Sequence, residues 1–435
     1  MSSNRSKKER ETFWLTFWIG FCTCAIIAMV IFGIVMGIKI IKGTTAKDSQ
    51  TYLTEEVSDK MDLLNDYPLR GYGADDGYLI EEDDVLLKML EVESVIDYYY
   101  VDSVSNDIIA DGVYRGMIDS IDDPYARYYT AEELMEMMED SSGTYYGIGA
   151  YLTLDTETKY PMITRIIENT PAEEAGLMPM DYIVKAGDTS LHGMELSDAV
   201  ALIKGEEGTT VHLTIYRDNE YLEYDIVRRK VETPTVEYRM LENDIAYIAI
   251  YQFAEVTPDQ FAEAYAEAKG SGMKGLIVDL RDNPGGLLYS AVEIGKQILP
   301  KGLIVYTEDK YGERDEYDCD GEHEIEVPMV VLVNGNSASA AEILSGAIKD
   351  YGVGTLVGTT TFGKGIVQRV VPLVDNSAVK LTVSHYYTPL GNDIHECGIS
   401  PDVEIELDVE AYLSEGFDNQ LEKAQEVIAG RINGQ

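Results

Sequence analysis

Basic residues are scarce in this 435-residue sequence, which has 34 Lys and Arg against 78 Asp and Glu and a formal net charge of −44. Such an acidic excess repels the phosphates of nucleic acids and the anionic surfaces of membranes. We therefore do not expect DNA or RNA as a partner. The length is sufficient for roughly two or three domains, each with its own hydrophobic core.

Cysteine and histidine are also rare, with 4 and 5 residues. Two of the cysteines lie in an apolar N-terminal run, which leaves Cys319 and Cys397 as a disulfide or as free thiols. With His323 and His395 they would supply four zinc ligands, but the spacing fits no familiar zinc motif. We favour a disulfide or free thiols over a metal. No histidine stands in a recognisable Ser-His-Asp arrangement.

The N-terminal apolar run extends without a charge from Phe13 to Ile38 and is long enough to cross a membrane as a helix. It is too long for the core of a signal peptide, and no small-x-small cleavage site precedes Gly43. The denser cluster of basic residues precedes the run, so we place residues 1–12 in the cytoplasm. The sequence thus predicts a single-pass protein of the cell membrane with its remaining chain outside the cytoplasm.

Beyond the transmembrane helix at 13–38, the composition changes several times along the chain. Residues 39–84 are polar and acidic, as in a stalk, and residues 85–143 have helical periodicity that breaks at Asp123-Pro124. The remaining segments are a β-rich module at 144–232, alternating strands and helices of an α/β core at 233–410, and a C-terminal helix at 411–435.

The β-rich module carries the pattern P-A-x-x-A-G-L, then D-Y-I-V-x-x-G, a helix and a final strand. This pattern resembles a PDZ domain, although Met180 stands where such domains usually have glycine. The resemblance implies capture of a protein C-terminus, which adds as a strand beside a helix while backbone amides hold its carboxylate. Gly147, Ile148 and Gly149 are the peptide-binding candidates, though short glycine turns also occur without a ligand.

Ser339 follows the apolar strand Met329–Val333 and opens a helix, a position that favours developing negative charge. The segment Ser339-Ala340-Ala341-Glu342 also fits a capping box, which would occupy the hydroxyl in a structural role. Ser337 or Asn336 could cap the helix instead and leave Ser339 free as a nucleophile. The local sequence alone does not choose between these two interpretations.

Lys364 lies between two glycines in a segment that nearly spells the phosphate-binding G-x-x-x-x-G-K-[ST]. Gly365 replaces the hydroxyl residue of that motif, and the following IVQRVVPL alternates like a strand, so we reject a nucleotide site. Burial among apolar neighbours would instead lower the pKa of the ammonium, and a neutral lysine can take a proton from a serine hydroxyl. A Ser-Lys pair needs no histidine.

These segments together resemble the carboxyl-terminal processing (tail-specific) serine proteases. LRDNPGG, NSASAAE and TFGKGIVQ occur in that family's order and spacing. The resemblance implies that Ser339 is the nucleophile, Lys364 the general base and Gln368 the residue that orients the lysine. The amides of Ala340 and of Gly285 or Gly286 would form the oxyanion hole, and Asp350 would be structural.

We therefore predict an α/β protein with a crotonase- or Clp-protease-like curved sheet, an inserted PDZ domain and a helical N-terminal region. It would be a membrane-anchored serine endopeptidase that captures and cleaves protein C-terminal tails, with no metal or organic cofactor. The alternative from another class is a catalytically silent PDZ scaffold. The substrates stay open, as does the oligomeric state, a homo-oligomer included.

Overall fold

The computed structural model of the chain describes residues 82–432 and Gly434. The predicted cytoplasmic tail, membrane span and nearly all of the stalk lie outside these residues, so the anchor stays a prediction. Within the described part, no helix is long and apolar enough to cross a membrane. The chain divides into two compact units, Met1–Val104 and Ser105–Gln435, and the first contributes helix α1 (Glu82–Tyr99).

The second unit begins with two helices and a short strand between them: α2 (Asn106–Asp119), β1 (Arg127–Tyr129) and α3 (Ala131–Ser142). Thr130 caps α3 in a capping box with Glu133, whose carboxylate accepts the Thr130 N–H at 3.0 Å. The helical periodicity and its break at Asp123-Pro124 agree with this structure. Strand β1 was not predicted, because three residues are too few to show alternation.

The PDZ-like module has its own sheet in the order β3-β4-β5-β7-β8, with β6 paired to β5, and its own apolar core. Its elements are β3 (Ala150–Leu154), β4 (Pro161–Ile166), α4 (Pro171–Glu174), β5 (Tyr182–Ala186), β6 (Thr189–Ser190), α5 (Leu196–Ile203), β7 (Thr210–Arg217) and β8 (Glu220–Val227). At the neck of the module, β2 (Thr144–Gly147) pairs with β9 (Arg229–Glu232). Met180 has φ 73°, the left-handed conformation in which glycine is favoured, so the family's turn persists without its glycine.

A mixed sheet forms the centre of the core, in the order β10-β11-β12-β15-β16-β19, and is parallel from β11 onward. Its strands are β10 (Val236–Leu241), β11 (Ile245–Ile250), β12 (Gly275–Asp279), β15 (Met329–Val333), β16 (Gly354–Gly358) and β19 (Val403–Glu404). Alternate residues of β11 enter different apolar clusters: Ile248 joins one and Tyr247 the other. Both faces of the sheet are therefore covered, as its continuous apolar strands require.

Helices cover both faces of this sheet. The helices α6 (Thr257–Gly270), α7 (Leu288–Lys296) and α8 (Ala340–Tyr351) contribute to the larger cluster, and α10 (Asn419–Ile432) contributes to the other through Ala424 and Ile428. The C-terminal segment differs from the single predicted helix, because α9 (Val409–Glu415) ends at Gly416 in the left-handed conformation, with φ 69°.

A second, antiparallel sheet joins β1 to β13 (Gly302–Asp309), β14 (Arg314–Cys319), β17 (Ile366–Pro372) and β18 (Ala378–Tyr387). Strand β18 is its centre, since it pairs with β1, β13 and β17. The segment that follows Lys364 is thus a strand, which confirms the rejection of a phosphate-binding loop, where a helix is required.

Candidate active site

The neighbouring parallel strands β12, β15 and β16 bring the three predicted motifs together. Strand β12 ends at Asp279, β15 at Val333 and β16 at Gly358, and each is followed directly by one motif. Since these strands are adjacent and parallel, their carboxyl ends lie at one edge of the sheet. Such an edge is where open α/β sheets place their sites.

Ser339 occupies the N-cap of α8 with φ 54° and ψ −115°, a strained conformation for a residue with a side chain. The expectation that Ser337 or Asn336 caps the helix is therefore wrong. The Ser337 hydroxyl donates to the Leu280 carbonyl at 2.7 Å, and the Asn336 amide donates to Asp282 at 2.8 Å. Both side chains hold the preceding turn instead.

Backbone atoms and the Glu342 carboxylate supply the hydrogen bonds at the start of α8. The N–H groups of Glu342 and Ile343 donate to the Ser339 carbonyl at 2.8 and 3.0 Å. That carbonyl also accepts the buried Tyr386 hydroxyl at 3.0 Å. Ser339 and Glu342 also form the capping box that the sequence indicated, so the serine both begins α8 and stands at its N-terminal end.

Glu342 connects the serine turn to the lysine loop. Its side chain is fully buried and accepts four hydrogen bonds: Oε1 from the Thr361 hydroxyl at 2.6 Å and the Gly363 N–H at 2.7 Å, Oε2 from the Lys364 N–H at 2.8 Å and the Ser339 N–H at 2.9 Å. From the sequence, Glu342 was predicted only as a member of a capping box. Its second set of donors comes from a loop that no local pattern links to it.

Lys364 is half-buried, and burial is the main cause that lowers the pKa of its ammonium. The positive charge of Lys380 lowers this pKa further, whereas the carboxylates of Asp123 and Glu342 raise it. The predicted direction of the shift is thus present. The Lys364 Nζ lies 4.5 Å from the ring centroid of Tyr125, a residue that the sequence analysis did not select.

No hydrogen bond joins the Ser339 hydroxyl to the Lys364 ammonium within the described part of the chain. Gln368, the predicted orienting residue, lies at an irregular point of the β17–β18 ladder, where the register shifts after Val367. Its side-chain Nε2 is buried and has no hydrogen-bond partner among the described residues. The structure therefore places Lys364 and Gln368 at the start of the same strand, β17, and no hydrogen bond among the described residues links Lys364 to the Ser339 hydroxyl.

Of the two glycines predicted for the oxyanion hole, Gly285 lies against Ser339 and Gly286 lies against Phe253. A Cβ built on Gly285 would come within 2.8 Å of the Ser339 Cβ and 3.0 Å of the Ala340 nitrogen, so this approach requires glycine. The Gly285 N–H donates to the Asn283 side chain at 2.8 Å. The Gly286 N–H takes no part in the bonds of its bridge to Phe253, so it is the N–H of this pair that has no bond in that bridge or to Asn283.

Asp279 and Arg281 were not selected from the sequence, and they hold the turn before Gly285 and Gly286 in place. The Asp279 carboxylate accepts the Tyr247 hydroxyl at 2.8 Å and the Arg281 guanidinium at 2.6 Å, and Arg281 also binds Asp418, the residue before α10, at 2.8 Å. Asp350 accepts the Leu390 N–H at 2.9 Å, a structural contact of the kind that the resemblance implied.

The three PDZ candidates line a groove of about 180 Å³ between the edge strand β3 and helix α5. Gly147 ends β2, and Ile148 and Gly149 form the loop that enters β3. The groove also includes Lys204, which binds Glu139 of α3 at 2.7 Å and lies 5.0 Å from the Tyr145 ring centroid. Lys204 was not selected from the sequence, although a lysine that follows a helix is a candidate to bind the C-terminal carboxylate of a peptide.

The cysteines take no part in this arrangement. Cys319 is buried and Cys397 is exposed, and both are free thiols. Burial raises the pKa of the Cys319 thiol. Among residues 82–432 and 434, no group of three or more His, Cys, Asp and Glu is placed to hold a metal ion.

Comparisons with known proteins agree with this geometry. The profile described as "Peptidase family S41" matches residues 244–405, and that of the PDZ domain matches residues 162–217. A carboxy-terminal-processing protease of Bartonella bacilliformis is 36% identical, over 77% of this chain and 77% of its own length. The chain belongs to peptidase family S41.

This S41 chain is a serine-type peptidase with a PDZ domain. The carboxy-terminal processing protease CtpA of Bacillus subtilis is 38% identical over 72% of this chain, and the match spans 66% of that relative's length. A solved structure of a photosystem II D1 C-terminal processing protease is similar at 28% identity, with a TM-score of 0.45, over 80% of this chain and 98% of that one.

Proposed function

We propose that this S41 peptidase cleaves proteins near their C-termini by a Ser-Lys mechanism, with Ser339 as the nucleophile and Lys364 as the general base. The observation that carries the proposal is the buried Glu342 carboxylate, which bonds the backbone of both residues. A single side chain thus fixes the nucleophile turn and the base loop relative to each other. Relatives named carboxy-terminal processing proteases support the substrate class.

In the proposed reaction, neutral Lys364 takes the proton of the Ser339 hydroxyl as its oxygen attacks the scissile carbonyl. The N–H groups of Ala340 and Gly286 stabilise the resulting oxyanion. Lys364 then gives its proton to the leaving amine, and an acyl-enzyme on Ser339 remains. Lys364 next takes a proton from a water whose oxygen bonds to the acyl carbon; the bond from that carbon to the Ser339 oxygen then breaks, and Lys364 returns the proton to this oxygen, which releases the acid and restores the serine. Gln368 would orient the lysine through its free amide.

The PDZ groove would select the substrate by its C-terminal carboxylate. A tail added beside the open edge of β3 would contact α5, with its last residue at Gly147, Ile148 and Gly149. Lys204 would supply a positive charge at that end of the groove. This arrangement favours the flexible tails of proteins, since an added strand must first be extended and free.

We further propose that residues 13–38 anchor the enzyme in the cell membrane and that its catalytic part lies outside the cytoplasm. The support is the uncharged apolar run and the basic cluster that precedes it. Protease protection of the full chain in inverted membrane vesicles tests this topology: the peptidase domain should be shielded there, and digestion of that domain would contradict it.

The decisive test of the chemistry uses the full-length chain in detergent and a flexible protein substrate with a free C-terminus. Ser339→Ala and Lys364→Arg should each lose at least about a thousandfold in kcat/KM. The first variant lacks the nucleophile, and the guanidinium of the second stays protonated at every working pH and cannot act as a base. Native protein should react with a fluorophosphonate probe at Ser339. A folded Lys364→Arg variant with native activity would overturn the Ser-Lys mechanism, and amidated substrates cleaved as well as free acids would overturn C-terminus recognition.

A further inference from the structure

The Lys364 ammonium has an aromatic partner that the proposed reaction does not yet use. Its Nζ lies 4.5 Å from the ring centroid of Tyr125, within the range of a cation–π interaction. Tyr125 is distant from Lys364 in the sequence and lies in the turn that precedes β1. The Tyr125 N–H donates to the Asp123 carboxylate at 2.9 Å, which fixes the direction of that turn.

The second sheet holds both partners in place. Strand β18 pairs on one side with β1, where Arg127 stands opposite Lys380, and on its other side with β17, where Val370 stands opposite Lys380. Tyr125 is two residues before β1, and Lys364 is two residues before β17. The ring and the ammonium thus approach each other because one strand anchors the two segments that carry them.

Some groups around Lys364 favour its protonated form, and others favour its neutral form. Burial and the charge of Lys380 on β18 disfavour the ammonium, whereas Asp123 in the turn and Glu342 on α8 favour it. The face of an aromatic ring attracts the ammonium and has little attraction for the neutral amine, so Tyr125 acts with the carboxylates. The ring therefore stabilises the form of Lys364 that cannot accept a proton from Ser339.

We propose that Tyr125 is a positioning residue for the general base: its ring binds protonated Lys364 and so sets the pH at which the neutral base appears. The inference depends on the proposed role of Lys364. Within residues 82–432 and 434, Lys364 makes no hydrogen bond to the Ser339 hydroxyl and the Gln368 Nε2 has no partner, which agrees with an ammonium that faces the ring.

The test is the pH profile of kcat/KM for the full-length enzyme and its position-125 variants, on one flexible substrate with a free C-terminus. Tyr125→Leu removes the ring and should move the midpoint of the rising limb about one pH unit lower, since loss of the cation–π interaction lowers the pKa of Lys364. Tyr125→Phe keeps the ring and should keep the native midpoint. A Tyr125→Leu profile that coincides with the native one would overturn the inference.

A series of fluorinated rings at position 125 tests the inference even if the Tyr125→Leu variant does not fold. Phenylalanine with one, two and three ring fluorines at position 125 keeps the shape of the ring while weakening its attraction for a cation. The midpoint should fall stepwise with each fluorine, and a constant midpoint would overturn the inference. Tyr311→Leu, at an exposed ring 5.1 Å from the Lys310 ammonium, is the matched control and should leave the profile unchanged.

Failure of this inference is distinguishable from failure of the Ser-Lys mechanism. If Lys364→Arg is folded and fully active, the base is wrong and the proposed mechanism falls. If Lys364→Arg is inactive but no position-125 variant moves the midpoint, the lysine is the base and Tyr125 does not tune it. Circular dichroism and thermal unfolding of each variant establish that the compared proteins are folded.

Discussion

Replacement of Glu342 by glutamine should damage both the stability and the activity of the enzyme. The carboxylate accepts four hydrogen bonds, two at each oxygen, from three backbone N–H groups and one hydroxyl. An amide can accept at only one of the two positions, so its NH2 group must face two of those donors. The preferred orientation points the NH2 group to Thr361, whose hydroxyl can turn, and to Gly363, whose N–H cannot.

The magnitude follows from this geometry. One buried backbone N–H left without an acceptor costs about 1–3 kcal/mol, and the surviving bonds also lose the strengthening that a charged acceptor supplies. Relief from burying a carboxylate charge offsets part of that loss, so we expect Glu342→Gln to be less stable by about 2–3 kcal/mol. Since Gly363 adjoins the base, a shift of its loop by about 1 Å should lower kcat/KM about a hundredfold.

Urea unfolding of the catalytic domain measures the loss of stability. The value of kcat/KM at fixed pH measures the loss of activity. Ser345→Ala is the matched control, because Ser345 is buried on the same helix but donates to Ala341 within it, at 2.7 Å. The control should lose about 1 kcal/mol and keep native kcat/KM. If Glu342→Gln matches the control in both measurements, Glu342 does not hold the two loops together.

Four further outcomes are expected. Native kcat/KM should rise as pH increases and level off above the lowered pKa of Lys364, because only the neutral amine accepts a proton; a profile flat from pH 5 to 10 would contradict this. Lys204→Gln should weaken binding of free-acid peptides about tenfold by fluorescence anisotropy, with little change for amidated peptides. Met180→Gly should raise the free energy of unfolding by about 0.5–1 kcal/mol in urea titrations, since it relieves a left-handed side chain at some cost in chain entropy. The double variant Cys319→Ala and Cys397→Ala should retain native kcat/KM, and a large loss would give the thiols a role.

Local sequence patterns were sufficient for those parts of the fold that depend on near neighbours. The continuous apolar segments Met329 to Val333 and Leu276 to Leu280 predicted buried strands of an α/β core, and the alternation after Lys364 predicted a strand. The motifs around Ser339 and Lys364 selected the family, since their residue types and order are specific to it. Burial of a lysine between two glycines also gave the correct direction for its pKa.

The relations between these segments were decided by tertiary structure. The order β12-β15-β16 places three loops at one edge, and the structure decides that Ser339 itself is the N-cap of α8, with φ 54°, a choice that the local sequence left open. Glu342 gained its donors from a loop, and Tyr125 met Lys364 through strand β18. Sequence periodicity reports which side of an element is buried, but partner choice depends on sheet order and on contacts between distant residues, which no local pattern encodes.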